Sequence, residues 1–302
     1  MLKPLLIVIA GPTASGKTAV AIELARHFKT EILSADSRQC YREMNIGVAK
    51  PLSGELSLVK HHFINSHSIL DEVNAGVYEK YALMVLHTIF QKNNIAIMVG
   101  GTGLYIDALL NGIDEIPQVP DAVRKKIADS YKQFGVEWLQ MQLKEKDPAI
   151  LETIDSQNPQ RMMRALEIIE FTGKSIAAFQ KKKNTQREFD TIKIALDWNR
   201  KTLYERINTR VDHMIAQGLV EEVKSLLPHQ HLNALQTVGY KELFAYFNNT
   251  ISLETAIEEI KKNTRRYAKR QITWFKNKDD FKWYNIHQPD DIYKTDIPQI
   301  TS

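Results

Sequence analysis

The stretch LLIVIAGPTASGKTAVAIELARHF, residues 5–28, decides the fold class. It opens with a continuous apolar run typical of a buried strand, and it closes with the apolar spacing of a helix. Between them, GPTASGKT fits the phosphate-loop pattern Gly-x-x-x-x-Gly-Lys-Thr, from Gly11 to Gly16, Lys17 and Thr18. Backbone N–H groups at a helix N-terminus bind phosphate groups in this context. The stretch therefore predicts a phosphate-binding loop between a strand and a helix.

Other apolar segments extend this unit into a sheet. EILSAD (31–36), IAIMVGG (95–101) and TIKIALDW (191–198) have strand character. A helical segment, VYEKYALMVLHTIFQKNN (77–94), lies between two of them. Strands that alternate with helices form parallel sheets covered on both faces. We expect an α/β fold, with a P-loop NTPase-like parallel sheet core flanked by helices.

Between about 121 and 185 the strand signal disappears, and the segments there are amphipathic and helical. Pro117 and Pro120 mark the entry, and the polar KKKNTQRE (181–188) marks the exit. We interpret this region as an all-helical insertion domain. The predicted division is the first part of the core at 1–120, the insertion at 121–185, and the second part of the core, with a basic C-terminal helix, at 186–302.

Composition excludes several classes of protein. The 302 residues are 43% hydrophobic and 25% charged with a net charge of +4, values ordinary for a soluble globular protein. The single cysteine, Cys40, excludes a disulfide framework within the chain and a cysteine-rich zinc site. No apolar run reaches the ~18 residues of a membrane span. The apolar start leads straight into the phosphate loop, so we expect a first strand rather than a signal peptide. We expect a cytoplasmic protein without membrane association.

The phosphate loop alone does not identify a reaction. The pattern is typical of nucleotide-binding and ATP-binding proteins, in which the lysine neutralises phosphate oxygens and the Thr18 hydroxyl faces Mg²⁺. Asp197, at the end of TIKIALD, could be the acid of an ATPase, although a strand-end or helix-capping role is preferred. The residues expected to hold phosphate groups are Gly11, Pro12, Thr13, Ala14, Ser15, Gly16, Lys17 and Thr18.

Two further strand ends are expected at the same edge of the sheet, where ligands bind in open parallel sheets. Asp36 ends EILSAD and could act as a general base, bind Mg²⁺, hold a sugar hydroxyl, or simply cap the next helix. GGTGLY (100–105) ends another strand. Its glycines permit close approach of a ligand and Thr102 offers a hydroxyl, although a plain strand-to-helix turn would look the same.

Seven motifs, in this order and spread from about residue 5 to residue 277, resemble those of the tRNA dimethylallyltransferases, also called tRNA isopentenyltransferases. They are GPTASGKT, SADSRQCYREMNIGVAKP, VGGTGLYIDALLNG, NPQRMMRALEI, RVDHMIAQGLVEEV, TVGYKE and AKRQITWFK. The chain lacks the zinc-finger segment of eukaryotic members, so it is similar to the bacterial form. The resemblance implies transfer of a dimethylallyl group from dimethylallyl diphosphate to N6 of an adenosine. That adenosine lies 3′ of the anticodon in tRNAs that read codons beginning with U.

The resemblance also implies residue roles. Asp36 matches the general base, Thr102 a residue that contacts the adenosine, and Arg210 an arginine that clamps the diphosphate, where a cation stabilises the leaving group. Mg²⁺ is the implied cofactor, the tRNA anticodon stem-loop is the implied partner, and we expect a monomer. The residues that match the tRNA-binding positions are Asp36, Ser37, Arg38, Gln39, Thr102, Arg124, Gln160, Arg161, Met162, Met163, Arg164, Gln236, Thr237, Val238, Gly239, Tyr240 and Lys241.

A few positions depart from the family pattern. Glu43, Asn45 and Val48 stand where members commonly have Gly, Asp and Thr, and Gln157-Asn158 stands where Asn-Asp is frequent. These departures concern details of substrate contact and leave the implied reaction unchanged.

A basic helix near the C-terminus suits an RNA partner. From Lys261 to Lys282 there are nine Lys/Arg and two Asp, and the helix 252–276 carries Lys262, Arg266, Lys269 and Arg270 roughly on one side. An adenine in a stem-loop must be turned out before reaction, which requires a grip on the flanking backbone. Lys181–Lys183 could add phosphate contacts, and such binding weakens steeply with salt. A solvated face of a core helix would carry the same charges.

Three other functions share some of these features. A prenyltransferase that modifies free AMP, ADP or ATP would have the same loop and acid. A small-molecule or nucleoside kinase would have the loop alone, and a non-catalytic RNA-binding module would not need the complete site. The helical insertion and the basic helix favour a macromolecular acceptor.

Overall fold

The structure is a computed structural model that describes residues 3–180, 185–278 and 280–285. The chain forms two compact units. One combines Met1–Asn111 with Gln186–Ser302, and the other is Gly112–Thr185. The second unit therefore begins at Gly112, before the predicted boundary at 121. Lys181–Lys183, the basic exit named above, lie outside the described residues.

The first unit contains a six-stranded sheet in which every pair of neighbours is parallel. The strand order is β3-β2-β4-β1-β5-β6, with β1 at the centre between β4 and β5. The predicted parallel α/β core is thus confirmed. The strands are β1 Leu5–Ala10, β2 Ile32–Ser34, β3 His61–His62, β4 Ile95–Val99, β5 Asp190–Asp197 and β6 Lys282–Asn285.

Eleven α-helices lie in the described residues, together with three short 3₁₀ turns at 176–178, 227–229 and 233–235. Those of the first unit are α1 Lys17–His27, α2 Ser53–Leu58, α3 Ala75–Phe90, α4 Gly103–Asn111, α8 Arg200–Ala216, α9 Leu219–Ser225, α10 Tyr240–Phe247 and α11 Leu253–Lys276. Those of the second unit are α5 Asp121–Lys146, α6 Pro148–Leu151 and α7 Pro159–Thr172. None of the described helices is long and apolar enough to cross a membrane.

Alternate residues of the central strand face opposite sides of the sheet, as the period of a strand requires. Leu6 and Val8 belong to the larger hydrophobic cluster, on the side that also contains α3, α4, α10 and α11. Ile7 and Ile9 belong to a second cluster with α1. Because both faces are covered, β1 is apolar along almost its whole length.

The long helix α11 begins where its sequence predicted. The Ser252 side chain accepts a hydrogen bond from the N–H of Thr255 at 3.2 Å, so it is the N-cap. Ile260 and Phe275 are buried in the larger cluster, while Arg266 and Lys269 are exposed. Two residues of the predicted basic side are therefore exposed to solvent.

The second unit is all-helical and has its own core. Leu139 and Leu143 of α5 share a buried cluster with Met162 and Leu166 of α7. At Gly135 the backbone leaves the helical conformation, with φ +76°, which kinks α5.

Candidate active site

The phosphate loop connects β1 to α1, and its shape requires its glycines. Gly11 has φ +138°, and a Cβ there would lie 2.9 Å from the backbone oxygen of Leu196. Gly16 has φ +90° and is the N-cap of α1. Side chains rarely adopt such backbone angles, so glycine is favoured at both positions. The N-terminus of α1 then faces the concave side of the loop, as anion binding requires.

Lys17 is the first residue of α1 and is enclosed by the site. Its Nζ donates a hydrogen bond to the backbone oxygen of Pro12 at 2.5 Å. Burial first, and then the nearby charge of Arg210, lower the pKa of Lys17 to about 7, although the charge of Asp36 acts in the opposite direction. An anion bound beside Lys17 would favour its charged form.

A cavity of about 1010 Å³ opens in front of the loop and is called here the phosphate cavity. Ser15, Lys17 and Thr18 line it. The Ser15 hydroxyl is buried and has no hydrogen-bond partner among the described residues. A buried polar group without a partner is costly, and a ligand oxygen in the cavity would satisfy it.

Asp36 follows β2 and is held by one of its two carboxylate oxygens. Oδ1 accepts hydrogen bonds from the N–H groups of Arg38 at 2.8 Å and Gln39 at 3.2 Å. This is a side-chain cap of the turn at 36–39, so the capping role considered above is present. The second oxygen has no hydrogen bond within the described structure, and Asp36 lines the phosphate cavity. The capping role therefore leaves one oxygen for chemistry.

Thr102 follows β4 and lies beside the turn that carries Asp36. Its Oγ1 accepts a hydrogen bond from the N–H of Ser37 at 3.1 Å, and its backbone N–H donates to the oxygen of Ala35 at 3.1 Å. At Gly100, a Cβ would lie 2.2 Å from the backbone oxygen of Ala35. The two strand ends approach this closely because residue 100 has no side chain.

A second cavity, of about 500 Å³, adjoins the phosphate cavity. Asp36, Arg210 and Tyr267 line both of them, together with Thr13. The carboxylate thus lies where a molecule in one cavity would meet a molecule in the other.

Arg210 projects from α8 at this junction. Burial lowers the pKa of Arg210, the charge of Asp36 opposes that effect, and the charge of Arg206 adds to it. Among the described residues, Arg124, Arg164 and Arg187 form ion pairs with carboxylates, and Arg206 and Arg210 do not. Together with Lys17, these arginines create a surplus of positive charge that suits a polyanion.

The predicted tRNA-binding segment 236–241 lines the second cavity, except at one position. Gln236, Thr237, Val238, Gly239 and Lys241 are lining residues. Tyr240 instead points into the core, where its hydroxyl donates to Oε1 of Glu222 at 2.6 Å. Its side chain is fully buried, so any role of Tyr240 in tRNA binding is limited to holding the surrounding backbone.

The remaining predicted tRNA-binding residues belong to the second unit. Gln160 and Arg161 are exposed on α7. Arg164 donates to Oε2 of Glu167 at 3.2 Å, and Arg124 has its Nη1 3.9 Å from Asp121 Oδ1. Met162 and Met163 are buried in the helical core, which leaves their side chains little surface for RNA.

Asp197 is not directed toward the phosphate cavity. Its Oδ1 accepts a hydrogen bond from the N–H of Trp198 at 2.9 Å, and its Oδ2 lies 3.7 Å from Nζ of Lys276. Asn199, rather than Asp197, caps α8. The structure supports the preferred strand-end role over that of an ATPase acid.

Several residues of the site were not predicted from the sequence. Tyr267 lines both cavities, and burial raises its pKa to about 12, so its hydroxyl stays neutral. Gln271, Trp198 and Arg206 contact the phosphate loop from outside the motif. Helical spacing from Tyr267 to Gln271 on α11 was the available signal, but spacing alone does not say which loop such a face meets.

Comparisons with known proteins decide the family. The sequence profile of the IPP transferase family matches residues 39–278. This chain belongs to the IPP transferase family. Among its relatives in the family, the tRNA dimethylallyltransferase of Christiangramia forsetii is 49% identical over 94% of both chains. The tRNA dimethylallyltransferase of Flavobacterium johnsoniae is 48% identical over 98% of this chain and 95% of its own.

Solved structures of family members have the same fold. The tRNA isopentenylpyrophosphate transferase of Bacillus halodurans has a TM-score of 0.72 at 34% identity, covering 99% of this chain and 96% of that one. A eukaryotic dimethylallyltransferase, described as acting on tRNA, has a TM-score of 0.78 at 28% identity, covering 99% of this chain and 77% of that one. The likeness to IPP transferases therefore extends along the whole chain.

Proposed function

We propose that this protein transfers the dimethylallyl group of dimethylallyl diphosphate to N6 of the adenosine 3′ of the anticodon, in tRNAs that read codons beginning with U. The observation that carries the proposal is the place of Asp36, on the shared wall of the phosphate cavity and the second cavity. A diphosphate in the first and an adenine in the second would meet at this carboxylate. The tRNA dimethylallyltransferases similar to this chain over most of its length support the same reaction.

In this reaction one bond forms as another breaks. N6 of the adenine attacks C1 of the dimethylallyl group, and the bond from C1 to the diphosphate oxygen breaks. The electron pair of that bond leaves with the diphosphate. The proton of N6 passes to the oxygen of Asp36 that the turn does not use, while the other oxygen keeps the carboxylate in place. A positioned base of this kind contributes typically ~10²–10⁴-fold in rate.

The positive charges of the phosphate cavity stabilise the leaving group. Charge builds on the diphosphate as the bond to carbon breaks, and preorganised cations are most effective against such developing charge. Lys17 and Arg210 supply two of these charges and the loop N–H groups add donors. The Thr102 hydroxyl lies beside the turn that carries Asp36, where it accepts the N–H of Ser37, and would contact the adenine.

The site fits Mg²⁺ as part of a diphosphate complex. The Thr18 hydroxyl lines the phosphate cavity and would hold the ion, with diphosphate oxygens and water completing its shell. Among the described residues no group of three acidic, histidine or cysteine side chains could hold a metal ion without such a ligand. When bound, the ion would neutralise part of the charge of the leaving group.

Exposed basic residues would contact the tRNA backbone. Arg266 and Lys269 on α11 and Arg161 on α7 are exposed and could contact phosphate groups. Lys241 and Arg38 line the second cavity, where the flanking nucleotides of a turned-out adenine would lie. We propose that the enzyme acts as a monomer in the cytoplasm, where its substrate tRNA is found.

The test is a transfer assay with labelled dimethylallyl diphosphate and Mg²⁺. Unmodified tRNA, AMP and ATP are offered separately as acceptors, and label is expected on tRNA alone. Label on the free nucleotides alone would instead identify a nucleotide prenyltransferase. Transfer of phosphate from ATP to a small molecule would identify a kinase.

A further inference from the structure

The phosphate loop is held by three side chains from outside its own motif. Trp198 Nε1 donates a hydrogen bond to the backbone oxygen of Ser15 at 2.9 Å. Arg206 Nε donates to the backbone oxygen of Ala14 at 2.9 Å. Gln271 Oε1 accepts from the N–H of Thr13 at 2.8 Å. Successive peptide groups of the loop are therefore fixed by Trp198, which precedes α8, by Arg206 within α8, and by Gln271 within α11.

These bonds determine where the loop N–H groups point. In a trans peptide the C=O and the N–H point in opposite directions, and the described chain has no cis peptide. When the oxygens of Ala14 and Ser15 are held by Arg206 and Trp198, the N–H groups of Ser15 and Gly16 must point away from them. Neither N–H has a hydrogen-bond partner among the described residues. Both are left available for an anion.

The same contacts stabilise an unfavourable backbone conformation. Ala14 has φ +63°, a region that costs a residue with a side chain about 1–2 kcal/mol. Such conformations persist only where the surroundings hold them. The guanidinium of Arg206 also stacks on the indole of Trp198, with its Cζ 4.4 Å from the ring centroid. Each side chain thus restricts the other, and the pair holds residues 14–15 as one unit.

Gln271 extends this support to the neighbouring strand end. It is 6% exposed, and its Nε2 donates to the backbone oxygen of Gly101 at 2.9 Å. A Cβ on Gly101 would lie 2.1 Å from that nitrogen, so the glycine makes room for it. One buried amide therefore joins the phosphate loop to the residue before Thr102.

We propose that Trp198, Arg206 and Gln271 are positioning residues that set the phosphate loop in its diphosphate-binding shape before the ligand arrives. Trp198 and Arg206 orient the loop N–H groups, and Gln271 fixes the position of the loop relative to Gly101 and Thr102. Binding then does not require the loop to be ordered, which is the advantage of preorganisation. The inference rests on the proposed function for its ligand, the diphosphate of the prenyl donor.

The decisive comparison is Arg206→Gln with Arg206→Met. Both variants lose the charge and the guanidinium stack, but glutamine places an N–H donor where arginine has its Nε, and methionine has none. Binding of inorganic pyrophosphate with Mg²⁺ is measured by calorimetry. Because one hydrogen bond separates the two, we expect Arg206→Gln to bind about 3- to 10-fold more tightly than Arg206→Met. Trp198→Phe, which keeps a ring but loses the N–H, should weaken binding by a similar factor.

Kinetics separate positioning from a general loss of structure. In Trp198→Phe the KM for the prenyl donor should rise about as much as the pyrophosphate Kd, while the KM for tRNA stays within about twofold. In Gln271→Met kcat should fall as well, because the link to Thr102 is lost. Arg200→Met is the matched control, since Arg200 lies on α8, stacks on Tyr204 and lines neither cavity. It should bind pyrophosphate like the wild type.

Equal pyrophosphate binding by Arg206→Gln and Arg206→Met would overturn the proposal, as would wild-type binding by a folded Trp198→Phe variant. Thermal melting of each variant shows that it is folded. In a third outcome, the wild type transfers no prenyl group while the pyrophosphate affinities of the variants still follow the expected order. That result would refute the proposed function but support the positioning role of the three side chains.

Discussion

Replacing Asp36 with Asn separates the two tasks that the structure gives this side chain. Oδ1 accepts the N–H groups of Arg38 and Gln39, and the carbonyl of asparagine can continue to do so. The other oxygen becomes an amide NH₂, which cannot take a proton. The turn should therefore keep its shape while the base is lost. We expect kcat to fall by roughly 10²–10⁴-fold, or about 3–5 kcal/mol in the barrier.

Binding should respond differently from turnover. The charge of Asp36 attracts Lys17 and Arg210, and it would repel a diphosphate held between them. A neutral asparagine removes that repulsion, so pyrophosphate should bind the variant at least as tightly as the wild type. If Asp36 were instead a Mg²⁺ ligand, the variant would bind pyrophosphate more weakly in the presence of Mg²⁺.

The assay is single-turnover transfer of labelled dimethylallyl groups to an anticodon stem-loop, with pyrophosphate calorimetry in parallel. Asp71→Asn is the control, because Asp71 also accepts a turn N–H, that of Ser68 at 2.7 Å, but lines neither cavity. Its turnover should equal that of the wild type. A turnover of Asp36→Asn within about threefold of wild type would refute the assignment of Asp36 as the base.

Four further predictions concern charge, packing and RNA binding. The pKa of Lys17 is lowered to about 7 and a bound anion raises it, so pyrophosphate binding at pH 8 should be accompanied by proton uptake at this lysine. Calorimetry in two buffers of different ionisation enthalpy would count the protons taken up. Proton uptake no greater than that of pyrophosphate itself would contradict the prediction. Gly103→Ala would place a methyl 2.4 Å from an indole ring and should lower stability by about 1–3 kcal/mol in thermal melting, whereas Gly54→Ala, with nothing within 4 Å, should not. Glu222→Gln should lower the free energy of unfolding in urea by about 1–3 kcal/mol, because its carboxylate accepts three loop N–H groups, and an unchanged midpoint would argue against this. Lys269→Met should reduce the slope of the logarithm of the tRNA-binding constant against the logarithm of salt concentration by the contribution of about one phosphate contact. An unchanged slope would show that this lysine does not contact the RNA.

The phosphate loop and the strand-to-helix order were predictable because they depend on local sequence. Residues 5–28 contain both the apolar periods and the glycines that β1, the loop and α1 require. The same holds for the Ser252 cap of α11, which is set within four residues of chain. The strands β3 and β6 were missed because they are short and lie at the edges of the sheet, where a continuous apolar run is not needed.

Which side chains are buried and which are exposed was harder to predict for residues within the family motifs. Met162, Met163 and Tyr240 stand within motifs implied to bind tRNA, but their side chains are buried. A motif contains residues that pack beneath a binding surface as well as residues that form the surface. Only the positions of the neighbouring helices separate the two.

The sequence by itself determined the fold class and the identity of the phosphate loop, because both follow from local pattern. It also offered Asp36 and Thr102 as candidates at strand ends, whereas Arg210 became a candidate only through the family resemblance. Tertiary structure alone decided that one oxygen of Asp36 is committed to its turn and the other is not. It also decided that Gln271 reaches both Thr13 and Gly101, residues far from it in sequence. The physical reason is that such contacts depend on the packing of α11 against the ends of two strands, and no local sequence pattern encodes that packing.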